Sequence, residues 1–156
     1  MEEKMSDNPG VIAFLPALYA GILLIGLFLN FVFPIDFLPR SVTLLLGTLA
    51  IICAGLITIS AFRSMNRAHT TINPSQPTTA IVSDGVFSLS RNPIYLSLTL
   101  LYIGIALLFS ALWALLLLLP LLVIMQIGVV KREEIYLERK FGSEYLHYKT
   151  RVRRWL

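Results

Sequence analysis

The stretch that decides the fold spans residues 92–130 and reads NPIYLSLTLLYIGIALLFSALWALLLLLPLLVIMQIGVV. Its 39 residues include no charged side chain. The 37 residues from Ile94 onward would make a helix of about 55 Å, nearly twice the ~30 Å hydrocarbon core of a bilayer. The stretch must therefore fold back on itself. We predict the reversal near Ser110, which gives two spans at about 93–109 and 111–130.

Two further uncharged windows lie upstream, at residues 11–35 and 42–62. Only 14% of the 156 residues are charged and 56% are hydrophobic, whereas soluble domains carry about 25% charged residues. We therefore predict an all-α integral membrane protein with four transmembrane helices. It forms a single domain over residues 1–156, with the first two spans at about 11–33 and 42–62, a cytoplasmic loop at 63–92 and a cytoplasmic tail at 131–156.

The basic residues indicate the orientation of the four spans. Twelve of the 13 Lys and Arg residues fall on one predicted side, and only Arg40 falls on the other. Cytoplasmic flanks are enriched in Lys and Arg, so both termini are predicted to be cytoplasmic. The net charge of +4 then belongs to one face, where it favours an anionic lipid surface as partner. Nucleic acid is not needed to explain it.

Several kinds of chemistry find no support in the sequence. The single cysteine, Cys53, lies in an apolar run, and His69 and His147 have no metal-ligand spacing, so no metal is expected. No nucleophile elbow, phosphate loop or dinucleotide fingerprint is present. Hydrolytic and nucleotide-triphosphate chemistry are therefore disfavoured.

The loop before the third span contains predicted turns and ends in a helix-start signal. Turns are predicted at Asn73-Pro74, Gln76-Pro77 and Asp84-Gly85. At its end, Asn92 suits the helix cap and Pro93 the first helical position. Such a helix start presents free amides to a polar ligand. The alternative is a well-capped membrane helix with a snorkelling Arg91.

The tail has the spacing of one helical face. Its apolar residues recur at steps of three and four: Leu137, Phe141, Tyr145, Tyr148, Val152 and Trp155. The pattern predicts an amphipathic helix, bent or broken at Gly142, on the membrane or over the loop. Glu133 extends the apolar stripe, whereas Glu134 aligns with Glu138 on the polar side. A carboxylate on that stripe needs a partner, and the structural alternative is that Glu133 pairs with Arg63, Arg67 or Arg91.

The ordered set of motifs from about Arg63 to Trp155 resembles the isoprenylcysteine carboxyl methyltransferase and phospholipid methyltransferase family. The motifs are Thr70-Thr71-Ile72-Asn73-Pro74, Ile81-Val82-Ser83-Asp84-Gly85-Val86-Phe87, Arg91-Asn92-Pro93-Ile94-Tyr95, and Glu133-Glu134 followed by Leu137, Phe141-Gly142 and Tyr145 to Tyr148. The resemblance implies a membrane enzyme that binds S-adenosylmethionine at the cytoplasmic face and methylates a lipid-like substrate.

The resemblance also implies a cofactor site formed by the loop, the start of the third span and the tail. Its predicted residues are the loop strand Ala80, Ile81 and Val82, then Phe87, Arg91, Asn92, Pro93, Ile94, Tyr95 and Glu133. The chain departs from many relatives in having Asn92 for histidine and Phe87 for tyrosine. Val129 stands where some carboxyl methyltransferases place a basic residue.

The chemistry of these residues suits a sulfonium cation, which aromatic faces and a carboxylate stabilise. An amine acceptor needs a base, for which Glu134 or Tyr95 is the candidate, and Arg132 could hold an anionic head group. The acceptor is predicted to be a prenyl or other lipid-like amphiphile, with an amine or other neutral nucleophile slightly favoured over a carboxylate. The alternatives are a non-enzymatic four-span protein whose basic tail binds anionic lipid or a partner, and a small transporter.

Overall fold

The structure, a computed structural model, describes residues 15–70 and 78–155. The predicted start of the first span, residues 11–14, lies outside the described residues. So do the turns predicted at Asn73-Pro74 and Gln76-Pro77 and most of the motif that begins at Thr70.

All regular secondary structure in the described part of the chain is helical, which confirms the all-α class. The helices are α1 (Leu15–Val32), α2 (Arg40–Arg67), α3 (Pro93–Leu108), α4 (Leu112–Met125), α5 (Lys131–Phe141) and α6 (Ser143–Arg151). A 3-10 turn covers Gly85–Ser88, and a π-helical turn covers Gln126–Val130. Because that turn joins α4 to α5, helical structure continues from Leu112 to Phe141.

Within residues 15–70 and 78–155, three helical segments are long and apolar enough to cross a membrane, namely α1, α2 and the continuous run from α4 through α5. Helix α3 is apolar but has only 16 residues, or about 24 Å. Large apolar side chains face outward on α1, where Phe31 is 85% and Leu24 is 65% exposed. Exposed apolar patches of this kind suit lipid rather than water. The chain is therefore an integral membrane protein.

The chain forms two compact units. Within the described residues, the apolar unit comprises residues 15–59 and 94–124, and the loop-and-tail unit comprises residues 60–70, 78–93 and 125–155. Each unit is described by itself.

Small residues bring helices of the apolar unit into close approach. A Cβ atom added at Gly26 of α1 would lie 2.4 Å from the Cα of Ala114 in α4. In the same unit, the Tyr19 hydroxyl lies 2.9 Å from Thr99 Oγ1. The Tyr102 hydroxyl donates a hydrogen bond to the Ala114 carbonyl at 2.8 Å. The buried hydroxyl groups of these two tyrosines are thus satisfied within the unit.

The predicted reversal at Ser110 is confirmed. Helix α3 ends at Leu108, α4 begins at Leu112, and Ser110 adopts the left-handed conformation with φ of 50°. The Arg40 guanidinium donates to the Leu108 carbonyl and to Ser110 Oγ. The last carbonyls of a helix lack partners within the helix and carry partial negative charge. Arg40 thus stabilises the hairpin turn.

The loop-and-tail unit confirms two predicted breaks in the chain. Gly142 separates α5 from α6 with φ of 53°, and Gly85 follows Asp84 at the start of the 3-10 turn with φ of 57°. Both values lie in the left-handed region, where glycine has no Cβ penalty. The tail therefore forms two short helices instead of one.

Candidate functional site

Three charged side chains form a cluster in the loop-and-tail unit. Glu134 of α5 is 6% exposed, and it accepts two hydrogen bonds from Arg154. Arg154 Nε donates to Oε1 at 2.8 Å, and Nη2 donates to Oε2 at 2.7 Å. Arg91 Nη1 lies 3.2 Å from Glu134 Oε1. We call these three residues the Arg-Glu-Arg cluster.

The Arg91 guanidinium is buried without full hydrogen bonding. Its side chain is 8% exposed, and Nε and Nη1 have no hydrogen-bond partner among the described residues. Nη1 therefore contacts Glu134 as a charge but is not aligned to donate to it. An unpaired buried donor costs about 1–3 kcal/mol, so these two nitrogens mark a place where an acceptor from outside the chain would be stabilised.

Residues 90–92, which precede α3, are hydrogen-bonded to the end of the tail, and Ser90 and Asn92 are buried. The Arg91 amide donates to the Arg153 carbonyl at 3.0 Å. Asn92 Nδ2 donates to the Arg154 carbonyl at 2.9 Å, and Ser90 Oγ donates to the same carbonyl at 3.4 Å. The tail therefore packs on the loop, one of its two predicted placements.

Two tyrosines of α6 lie beside the cluster. Burial, together with the nearby Glu134 carboxylate, raises the pKa of Tyr145 to about 12, and the charge and side-chain hydrogen bond of the Arg91 guanidinium oppose the increase. Burial also raises the pKa of Tyr148, whose hydroxyl donates to the Phe87 carbonyl at 2.6 Å. Both phenols stay neutral at physiological pH. The Glu134 hydrogen bond raises the pKa of Arg154, which keeps that guanidinium charged.

The predicted positions of the two glutamates on α5 were wrong. Glu134 is the buried residue of α5, whereas Glu133 is half-buried. Leu137 stands four residues after Glu133 and three after Glu134, and both spacings fit one helical face. The apolar pattern alone could not separate them. Glu134 also forms an ion pair with Arg91, which was one of the three partners that the structural alternative allowed for Glu133.

The predicted loop strand is absent. Residues 80–82 have no regular secondary structure; Val82 is buried, while Ala80 and Ile81 are half-buried. Phe87 is half-buried in the 3-10 turn, with its carbonyl held by Tyr148. A strand needs a neighbouring strand for its ladder hydrogen bonds, and no strand occurs in the described residues.

The other predicted site residues are divided between the two compact units. Pro93 is the first residue of α3, as the sequence predicts, and Arg132 is exposed on α5. Ile94 and Tyr95 belong to the apolar unit, where the Tyr95 carbonyl accepts a hydrogen bond from Thr99 Oγ1 at 2.9 Å. The cofactor contacts predicted for Ile94 and Tyr95 stay predictions.

Sequence reasoning missed Arg154, which completes the cluster. It lies 20 residues after Glu134 and 62 after Asn92, beyond the break at Gly142. Periodicity is lost across such a break, so it gave no signal. The basic pair Arg153-Arg154 was a weak hint, because it lies between Val152 and Trp155, the last two apolar positions of the stripe.

The membrane-length helices and the buried charge cluster define a polytopic membrane protein with a compact polar site. Comparison with known families refines that class. Residues 42–144, or 103 of the 156, match the model for phospholipid methyltransferase. The chain therefore belongs to the phospholipid methyltransferase family, which confirms the resemblance.

Similarity to individual proteins is more limited. The chain is 67% identical over 27 residues to an uncharacterized protein of Haemophilus influenzae (strain ATCC 51907 / DSM 11121 / KW20 / Rd). That match covers 17% of this chain and 43% of the length of the other protein. No solved structure gives a significant match.

Proposed function

We propose that this protein transfers a methyl group from S-adenosylmethionine to a lipid-like amphiphile at the cytoplasmic membrane face. The observation that carries the proposal is the Arg-Glu-Arg cluster, in which two buried donor nitrogens of Arg91 have no acceptor in the part of the chain that the structure describes. Family membership supports methyl transfer, and methyltransferases of this family normally use S-adenosylmethionine.

The residues around Arg91 fit the polar end of that cofactor. Its amino-acid part has a carboxylate, for which Arg91 Nε and Nη1 are suitable donors. Its ammonium group suits Glu133, which begins α5 beside the buried Glu134. The Phe87 ring suits the sulfonium. We assign Asn92 and Pro93 to the same site, since Asn92 shares the tail contact with Arg91.

When bound, S-adenosylmethionine would supply a sulfonium methyl group, to whose carbon an acceptor lone pair would bond in line as the carbon–sulfur bond breaks and its electrons stay on the departing thioether sulfur. The protein's part is to orient the two reactants and exclude water. Glu134 has both oxygens engaged by Arg154, so we assign it a positioning role instead of the base role that the sequence suggested. Arg132, exposed on α5, remains our candidate for holding an anionic head group.

We further propose four spans with both termini cytoplasmic. The fourth span is α3, whose 16 residues are short for a bilayer unless the membrane thins locally. The twelve-to-one distribution of basic residues supports this count, because an odd number of spans would place the tail and the loop on opposite sides.

Cysteine labelling tests this topology. With Cys53 replaced, we expect a membrane-impermeant thiol reagent added outside to label Asp36→Cys and to leave Thr150→Cys unlabelled until the membrane is opened. Both positions are exposed in the structure, so the difference reports the side of the membrane. Labelling of position 150 from outside would contradict the proposed topology of four spans with both termini cytoplasmic.

Methyl transfer is tested with purified protein and methyl-labelled S-adenosylmethionine. Three acceptor panels are supplied: lipid amines, prenyl-thioether acids and soluble amines. We expect turnover with the amphiphiles, and with the lipid amines in preference.

Glu133→Gln should weaken cofactor binding by about 1.5–3 kcal/mol, the effect of losing a charge-assisted hydrogen bond.

The matched control is Glu144→Gln, because Glu144 is an exposed glutamate on α6. It should bind the cofactor as the wild type does. Absence of cofactor binding by the wild type would refute the proposed function and would favour the non-enzymatic alternative. Turnover of soluble amines alone would refute an amphiphilic acceptor, and turnover of prenyl acids alone would refute the amine preference.

A further inference from the structure

We propose that Arg154 is a positioning residue for cofactor binding, which holds the Glu134 carboxylate so that Nε and Nη1 of Arg91 stay available to bind the carboxylate of the ligand. The inference rests on the proposed function and adds to it a residue outside the family motifs. Arg154 touches no reacting atom in this scheme. It acts through Glu134 and Arg91.

The end of the tail is fixed tightly enough to set the position of Arg154. Residues 152–155, which we call the C-terminal strap, follow α6. The strap carbonyls of Arg153 and Arg154 accept the hydrogen bonds from residues 90–92. The Trp155 indole donates to Gln126 Oε1 at 3.2 Å. The side chain of Arg154 therefore starts from a backbone that is held at several points.

From this position Arg154 takes both oxygens of Glu134. The planar guanidinium fork matches a carboxylate in a bidentate pair, which fixes orientation as well as distance. The same carboxylate lies 3.2 Å from Arg91 Nη1 without forming a hydrogen bond to it. Both arginines thus contact the Glu134 carboxylate, and Arg154 donates the two hydrogen bonds of the bidentate pair.

Arg91 therefore has a partly compensated charge and a side-chain hydrogen bond with Tyr145, but its Nε and Nη1 have no acceptor among the described residues. Glu134 is close enough to offset the buried charge, yet Nε and Nη1 are left for another acceptor. Without Arg154, the Glu134 carboxylate could turn toward Arg91 and accept those hydrogen bonds itself. A ligand carboxylate would then have to displace it, and cofactor affinity would fall.

The experiment compares two ligands, S-adenosylmethionine and decarboxylated S-adenosylmethionine, by calorimetry. The wild type should bind the intact cofactor about tenfold or more tightly than the decarboxylated form, as expected for a charge-assisted hydrogen bond. Arg154→Ala should lose about tenfold in affinity for the intact cofactor and keep its affinity for the decarboxylated form within about twofold.

Two further variants sharpen the comparison. Arg154→Lys keeps the charge but cannot form the bidentate fork, so its affinity should fall between those of the wild type and Arg154→Ala. Arg151→Ala removes an exposed basic residue from the end of α6 and should bind both ligands as the wild type does. Should Arg154→Ala fail to fold, as judged by thermal unfolding, the lysine variant decides the question.

The outcomes separate this inference from the proposed function. A wild type that binds neither ligand overturns both. A wild type that binds the cofactor, with Arg154 variants that bind it equally well, overturns only the role of Arg154. Equal losses for the two ligands also overturn that role, because they would show a general structural defect and no selective effect on the carboxylate.

Discussion

Gly26→Ala should destabilise the protein by about 3 kcal/mol, because the added methyl group has no space. Its Cβ would lie 2.4 Å from the Cα and 2.9 Å from the amide nitrogen of Ala114. Both are backbone atoms, so relief requires α1 and α4 to move apart, whereas a side-chain clash could be relieved by a rotamer change. Overpacking of an interior typically costs 1–3 kcal/mol, and a backbone clash places this case at the upper end.

Gly21→Ala is the matched control, since it makes the same substitution five residues earlier on α1. A Cβ at Gly21 meets nothing within 4 Å. Its unfolding free energy should stay within about 1 kcal/mol of the wild type, the size of the helix-propensity difference. Denaturant unfolding in mixed micelles measures both variants. Equal stabilities would show that α1 and α4 are not packed as described.

The hairpin could be predicted from sequence because its signals are local. An uncharged run of 39 residues is too long for one span, and Ser110 lies near its middle. The start of α3 could also be predicted from sequence, because the Asn92-Pro93 pair marks a helix start. Both features depend on residues that are adjacent in the chain.

The cluster could not be predicted in the same way, because its contacts are distant in the chain. The choice between Glu133 and Glu134 depends on which carboxylate meets Arg91 and Arg154, and apolar spacing does not contain that information. Arg154 approaches Glu134 only after the chain breaks at Gly142 and α6 folds back. The position of an arginine after such a break is set by tertiary packing, which a repeat pattern does not report.

Removing the charge of Glu134, the central residue of the Arg-Glu-Arg cluster, should also lower the free energy of unfolding strongly. Glu134→Gln keeps the size of the side chain but leaves the Arg91 guanidinium, with its side chain 8% exposed, beside a neutral amide. Breaking a buried ion pair by removing one partner typically costs 3–5 kcal/mol, because the remaining charge is buried without compensation. We expect a loss in that range in micellar unfolding, together with weakened cofactor binding.

Glu138→Gln on the same helix is the control for this prediction. Glu138 pairs with Lys149, but the two side chains are 34% and 36% exposed. Water screens such a pair, so the loss should be about 1 kcal/mol or less. The double variant Glu134→Gln/Arg154→Gln removes both partners of the bidentate pair, and its loss should be smaller than the sum of the two single losses. Equal effects of Glu134→Gln and Glu138→Gln would mean that Glu134 is solvated, and the buried cluster would then be wrong.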